Sequence, residues 1–154
     1  MLEGGRGLEF ETAVKLRLYQ TIAETTRVHD APELAQELGS SVARVEEALQ
    51  TLSGKRLLVL ESGSTSRIRM APPFSAVETP FRVRVGEKAY YANCVWDALG
   101  IPAALHRDAR VFASDGHTGE PLELEVRGGK PVPRPCAIHF AVPPARWWDD
   151  IIHT

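Results

Sequence analysis

Cys94 and Asp97 are the pair in this chain whose types and spacing can do chemistry together. They stand at i and i+3 in Tyr90-Tyr91-Ala92-Asn93-Cys94-Val95-Trp96-Asp97-Ala98-Leu99-Gly100. That spacing places both side chains on one helical face, about one turn apart. Asn93 reads as an N-cap, which puts Cys94 at the first helical position, where the helix dipole and free N–H groups favour a thiolate. An ionised Asp97 opposes that charge, so the pair is expected to share a proton. The carboxylate can take the thiol proton and deliver it elsewhere. Gly100 is expected to end the helix. A plainer reading stays open on the residues alone: Cys94 as a small core residue, and Asp97 as a cap or the partner of an arginine.

Other polar residues carry less. His106, His117, His139 and His153 have no metal-ligand spacing with one another or with a cysteine. Cys136 follows Pro135 at an expected strand entrance and reads as structural. It can join Cys94 as a second thiol at one site only if the fold brings the two together. Trp147 and Trp148 read as core and lid. No phosphate-binding glycine loop or nucleophile elbow is present.

The elements that must position Cys94 and Asp97 follow from pattern. The chain has 154 residues, 44% hydrophobic and 25% charged, with net charge -2. This is the profile of a folded protein with no global attraction to nucleic acid or an anionic membrane. No apolar run approaches the roughly 20 residues of a membrane helix, and the start lacks a signal-peptide core. A cytoplasmic setting is expected, where the two cysteines stay free thiols.

Residues 1–8 are glycine-rich and expected to lie outside regular structure. A helix over Phe10 to Thr25 carries Val14, Leu18 and Ile22. Asp30 and Glu33 form a capping box for a helix over Pro32 to Leu38, ended by Gly39. Ser40 or Ser41 caps a third helix with the stripe Val42, Val45, Leu49 and Leu52, ended by Gly54. Strands Arg56–Leu60 and Arg67–Met70 flank a turn. This order is that of a winged helix-turn-helix. Ala71–Phe74 reads as a linker. Beyond it, strands are expected at Phe81–Val85, Ala109–Ala113, Pro121–Val126 and Ala137–Val142, with Ala145–Thr154 a short helix and Ile151-Ile152 the opening of a buried strand. The fold class is α+β: a winged helix-turn-helix over 1–75, then a small mixed or antiparallel sheet domain with short helices over 76–154, incomplete at its C-terminal end.

The first 75 residues hold nine Lys/Arg and ten Asp/Glu. Arg44 and Gln50 are the candidate base contacts on the third helix, but Glu46 and Glu47 would repel phosphate. Lys55, Arg56, Arg67 and Arg69 give the wing some basic character. The balance favours a scaffold or dimerisation unit over a DNA reader.

The segment from Tyr91 through Val126 resembles the alkylmercury (organomercurial) lyases. The resemblance is carried by Cys94-Val95-Trp96-Asp97-Ala98-Leu99, Pro102-Ala103, Ala109-Arg110-Val111 and Thr118-Gly119-Glu120-Pro121-Leu122, and by the block Ala137–Pro143. A winged-helix-like N-terminal unit belongs to that family too. The resemblance implies protonolysis of a carbon–mercury bond by two cysteines and an aspartate, yielding a hydrocarbon and Hg(II). Cys94 would be one mercury-binding thiolate, since mercury is soft, and Asp97 would relay the proton to carbon. The second catalytic cysteine is expected at or just past Thr154, and Cys136 falls too early in that register. The chain would then be a truncated or diverged member. No cofactor is implied. The partners implied are an organomercurial or Hg(II), with a mercuric reductase as acceptor. The reading of a different class is a winged-helix regulator that senses a thiophilic metal or small ligand through Cys94 without turnover. A third is a divergent member acting on another substrate.

Overall fold

The computed structural model describes residues 3–153, with side-chain environments from residue 7 onward. Helix α1 (Glu3–Thr25) begins earlier than the pattern suggested and runs through the glycine-rich stretch. Val14, Leu18 and Ile22 recur every fourth residue and are fully buried. They form the face that packs on α2 (Ala31–Leu38) and α3 (Val42–Gly54).

The start of α2 is held as its sequence dictates. The Asp30 carboxylate accepts from the Glu33 amide at 3.3 Å, and Glu33 accepts from the Asp30 amide at 3.1 Å. Two orphan donors of the first turn are thereby satisfied. Gly39 closes the helix with φ 60°, a left-handed conformation that suits glycine. In α3 the Ser41 hydroxyl accepts from the Arg44 amide at 3.3 Å. The buried stripe is Val45, Ala48, Leu49 and Leu52, whereas Val42, expected inside, is 40% exposed. At 3.6 residues per turn Val42 lies at the edge of that stripe and Ala48 within it.

A three-stranded antiparallel sheet, β1 (Val59–Leu60), β2 (Ile68–Ala71) and β3 (Phe74–Ser75), follows α3. The segment expected to be a linker is therefore the turn into a third strand. Phe74 is 2% exposed, bridges to Ala92, and meets the rings of Tyr19 and Tyr90.

The second sheet is antiparallel in the order β5-β4-β6-β7-β8. Its strands are β4 (Arg82–Val85), β5 (Lys88–Tyr91), β6 (Ala109–Ser114), β7 (Pro121–Arg127) and β8 (Lys130–Pro131). Val83 pairs with Tyr90 on one side and Val111 on the other, and these inward residues are buried while Arg82 and Arg84 face out. That is the period of two expected of a half-buried strand. β5 was not expected, because Lys88-Ala89-Tyr90-Tyr91 does not alternate. Lys88 Nζ and the Tyr90 hydroxyl both donate to the Ala23 carbonyl, at 2.8 and 2.9 Å. They tie β5 to the end of α1, where carbonyls lack helical partners. One buried cluster runs from Val14 and Leu49 through Phe74 to Val83, Ala98 and Ile101, so both sheets and the α-helices share a core.

The strand expected at Ala137–Val142 is absent, and this stretch is irregular. Pro131, Pro133 and Pro135 remove backbone donors from the approach, which ends ladder pairing after β8. The stretch instead carries Phe140 between the rings of Trp96 and Trp147, at 6.3 and 5.1 Å. A 3-10 helix spans Pro144–Asp149. Ile151-Ile152, expected to open a strand, sits in a half-buried turn.

Candidate functional site

Helix α4 (Val95–Leu105) leaves the end of β5 and presents Cys94 and Asp97 on its first turn. The N-cap is Cys94 rather than Asn93: its backbone is extended, at φ -152° and ψ 178°, and its Sγ accepts from the Asp97 amide at 3.5 Å. Asparagine is the better capper by preference, so residue type alone points one position too early. Nor does Gly100 end the helix, which continues through Pro102 to a left-handed cap at His106. Gly100 instead stands where α4 comes close to the turn before β3. A Cβ there would lie 3.3 Å from the Cβ of Pro73. The missing side chain lets α4 settle against the turn before β3.

Asn93 is released from capping and holds the carboxylate. Its Nδ2 donates to Asp97 Oδ2 at 2.8 Å and to the Phe74 carbonyl at 3.3 Å. Its Oδ1 is buried and has no hydrogen-bond partner. Burial raises the Asp97 pKa above the ordinary carboxylate value, and the Asn93 bond pulls it partly back. Burial also raises the Cys94 thiol. The Asp97 and Trp96 amides pull it down, while the Asp97 charge pushes it further up. The expected bias toward a thiolate is therefore reversed: desolvation and a neighbouring negative charge outweigh the helix-start amides. Both groups are thus shifted toward their protonated forms relative to exposed ones, Asp97 mainly by burial and Cys94 by burial and the Asp97 charge.

Tyr19 is a further neighbour, which sequence reasoning missed. Its hydroxyl donates to the Pro72 carbonyl at 2.7 Å. Its pKa is raised to about 12, by burial first and then by the charge of Asp97. The available signal was its place beside Leu18 on the core-facing side of α1, where a phenol needs a polar partner.

Asn93, Cys94 and Asp97 line a cavity of about 340 Å³ together with Met70, Pro72, Trp96, Phe140, Ala141, Val142, Trp147, Trp148, Ile151, Ile152 and His153. The structure thus brings Cys94 and Asp97 into one largely apolar chamber, with the two C-terminal tryptophans in its wall. Cys136, expected to be structural, is exposed and is not part of the lining. His139 is exposed off the sheet, and His153 pairs with Asp150 at 2.9 Å. Among the described residues no group of three or more His, Cys, Asp or Glu is placed to hold a metal ion.

The side chains weighed for nucleic-acid contact are largely engaged elsewhere. The Arg44 guanidinium lies 3.9 Å from the centre of the Phe10 ring. Lys55 pairs with Glu11, and Arg69 with Glu61 at 3.6 Å. Glu46 accepts from the Thr65 hydroxyl at 3.3 Å. No helix among the described residues is long and apolar enough to cross a membrane.

Comparison with known proteins gives a family and a shared fold. The family described as alkylmercury lyase matches residues 74–154. Among solved structures, the mercury-bound form of MerB2 superposes with a TM-score of 0.63 at 23% identity. The alignment covers 80% of this chain and 58% of that one, so the chain spans somewhat over half of that protein's length. At that identity the likeness shows a shared fold. Comparison with curated protein sequences gives no match.

Proposed function

Because this chain belongs to the alkylmercury lyase family, we propose that its cavity binds an organomercurial and supports protonolysis of the carbon–mercury bond. The observation that carries this reading is Cys94 and Asp97 on one helical turn in a single apolar cavity. Cys94 loses its proton as its sulfur displaces the ligand opposite carbon on R–Hg–X. A thiolate is the ligand a soft metal prefers. Asp97 receives that proton, helped by burial, which favours its neutral form. It then gives the proton to the carbon as the carbon–mercury bond breaks. The electron pair of that bond goes to carbon, R–H leaves, and Hg(II) stays on thiolate. A second thiolate, from the protein or from buffer thiol, completes the two-coordinate mercury product and weakens the bond being broken. A mercuric reductase is the acceptor this product calls for.

We read the three helices and the β1-β2-β3 sheet as a winged helix-turn-helix that serves as a scaffold within the 1–75 unit. It contributes Met70 and Pro72 to the cavity wall. The engaged state of Arg44, Lys55 and Arg69 supports the scaffold over a DNA reader.

The decisive measurement is release of benzene from phenylmercury, or methane from methylmercury, in excess thiol. Release well above that of a Cys94→Ser variant, and reduced in Asp97→Asn, is expected. Release no greater than in Cys94→Ser sinks the lyase reading for this chain. One observation favours a second reading, a sensor that binds without turnover: Cys94 is the single thiol in the cavity lining among the described residues. Stoichiometric mercurial binding with no hydrocarbon released would select it.

A further inference from the structure

Trp96 is out of keeping with the helix that carries it. It lies between Cys94 and Asp97 in the chain and is 58% exposed, although large apolar side chains normally gain by burial. Its ring is not isolated. Phe140 meets it edge-on, with centroids 6.3 Å apart and planes at 73°. Phe140 in turn tilts against Trp147 at 5.1 Å. The indole N–H of Trp147 donates to the Val142 carbonyl at 2.8 Å, so the polar atom of that ring is satisfied by its own loop. All three rings line the cavity that holds Cys94. Phe140 arrives there because residues 137–142 leave the sheet.

We infer that Trp96, Phe140 and Trp147 form a subsite for the organic group of the substrate, one that selects aryl over methyl mercurials. The inference rests on the reading that Cys94 takes the mercury atom. The mercury–sulfur bond is common to both substrates and cannot discriminate between them. What differs is the group beyond mercury. A phenyl ring buries far more apolar area than a methyl group and adds edge and offset contacts with aromatic neighbours. The cavity, at about 340 Å³, is in the range of small-ligand sites and far exceeds a methyl group. Trp96 is the specificity-determining residue, because its exposed ring is the part of the wall that the core does not already use.

The test is an equilibrium competition of phenylmercury and methylmercury between the protein and 2-mercaptoethanol, run in an Asp97→Asn background. That background keeps Cys94 and the three rings but lacks the acid that protonates carbon, so that neither mercurial is consumed. The small thiol supplies the preference intrinsic to the mercury–sulfur bond. The protein is expected to prefer phenylmercury by about tenfold more than the small thiol does. Trp96→Ala is expected to remove most of that excess and Trp96→Phe to keep most of it, with thermal unfolding confirming that both variants are folded. Phe140→Ala, outside α4, should reduce the excess in the same direction. A preference of the Asp97→Asn protein with its three rings intact equal to that of 2-mercaptoethanol, or an excess untouched by Trp96→Ala, overturns the subsite. Should neither mercurial bind better than to Cys94→Ser, the mercury reading is the one that fails. The mercury-free probe benzyl alcohol, followed by tryptophan fluorescence, then decides the subsite by itself. Saturable binding lost in Trp96→Ala upholds it, and no binding to the wild type overturns it.

Discussion

Asn93→Ala isolates the contact that favours the ionised form of Asp97 against burial. The Asn93 amide makes two bonds, to Asp97 at 2.8 Å and to the Phe74 carbonyl at 3.3 Å, and leaves its own Oδ1 buried without a partner. A hydrogen bond to an ionised group contributes about 1.5–3 kcal/mol and a long neutral one about 0.5–1 kcal/mol, while a buried unpaired acceptor costs about 1–3 kcal/mol. Losing the Phe74 bond and removing the orphaned oxygen nearly offset each other, and neither depends on pH. What remains is the bond to ionised Asp97, and partial access of water to that carboxylate places it at about 1.5 kcal/mol.

The pH dependence follows from the sign of the Asp97 shift. Burial raises its folded pKa above the unfolded value, so its own contribution to stability is full below the unfolded pKa and is lost as pH rises through the folded one. Asn93 opposes that loss, because it bonds the ionised form. Wild type should therefore exceed Asn93→Ala by about 1.5 kcal/mol at neutral pH, and the gap should close as pH falls through the Asp97 pKa. Urea unfolding at a series of pH values, followed by the fluorescence of the three tryptophans, measures this gap. In an Asp97→Asn background the same substitution should give a gap independent of pH. A wild-type gap that is equally large in acid and at neutral pH would refute the reasoning.

Three further outcomes follow from the same geometry. Alkylation of Cys94 by iodoacetamide should be slower at neutral pH than that of a simple thiol, because burial raises its pKa, and Asp97→Asn should speed it by removing a negative charge; an unchanged or slower rate in Asp97→Asn contradicts this. Gly100→Ala gains up to about 1 kcal/mol of helix propensity but forces its Cβ against Pro73 at 3.3 Å. Overpacking of about 1–3 kcal/mol should win, so denaturant unfolding should show a net loss, and a more stable variant would show that Pro73 yields. Asp30→Ala should cost about 1 kcal/mol through loss of the capping box of α2, and unchanged stability would mean that Glu33 and Arg27 hold that turn alone.

Local rules made much of this molecule legible before its structure. The Asp30/Glu33 capping box, the Ser41 cap, the buried Val14-Leu18-Ile22 stripe and the Asp115–Gly119 connection between β6 and β7 each depend on residues within a few positions of one another. The pairing of Cys94 with Asp97 was visible for the same reason, since three residues of helix fix their mutual placement. The elements that were missed depend on distant partners. β3 exists because Phe74 finds Ala92, Tyr19 and Tyr90, and β5 because Lys88 and Tyr90 reach the Ala23 carbonyl. The Ala137–Val142 stretch has strand composition, but prolines ahead of it and the rings of Trp96 and Trp147 drew it away from the sheet.

The sequence by itself determined that a thiol and a carboxylate share one helical turn, because helical spacing is set by the backbone. Only the tertiary structure decided the direction of their pKa shifts, their neighbours and their chamber. Burial turned an expected thiolate into a raised thiol, Asn93 became the anchor of Asp97, and residues more than 40 positions away closed an apolar wall around both. Desolvation and packing depend on the whole fold, and no spacing of residues along the chain encodes them.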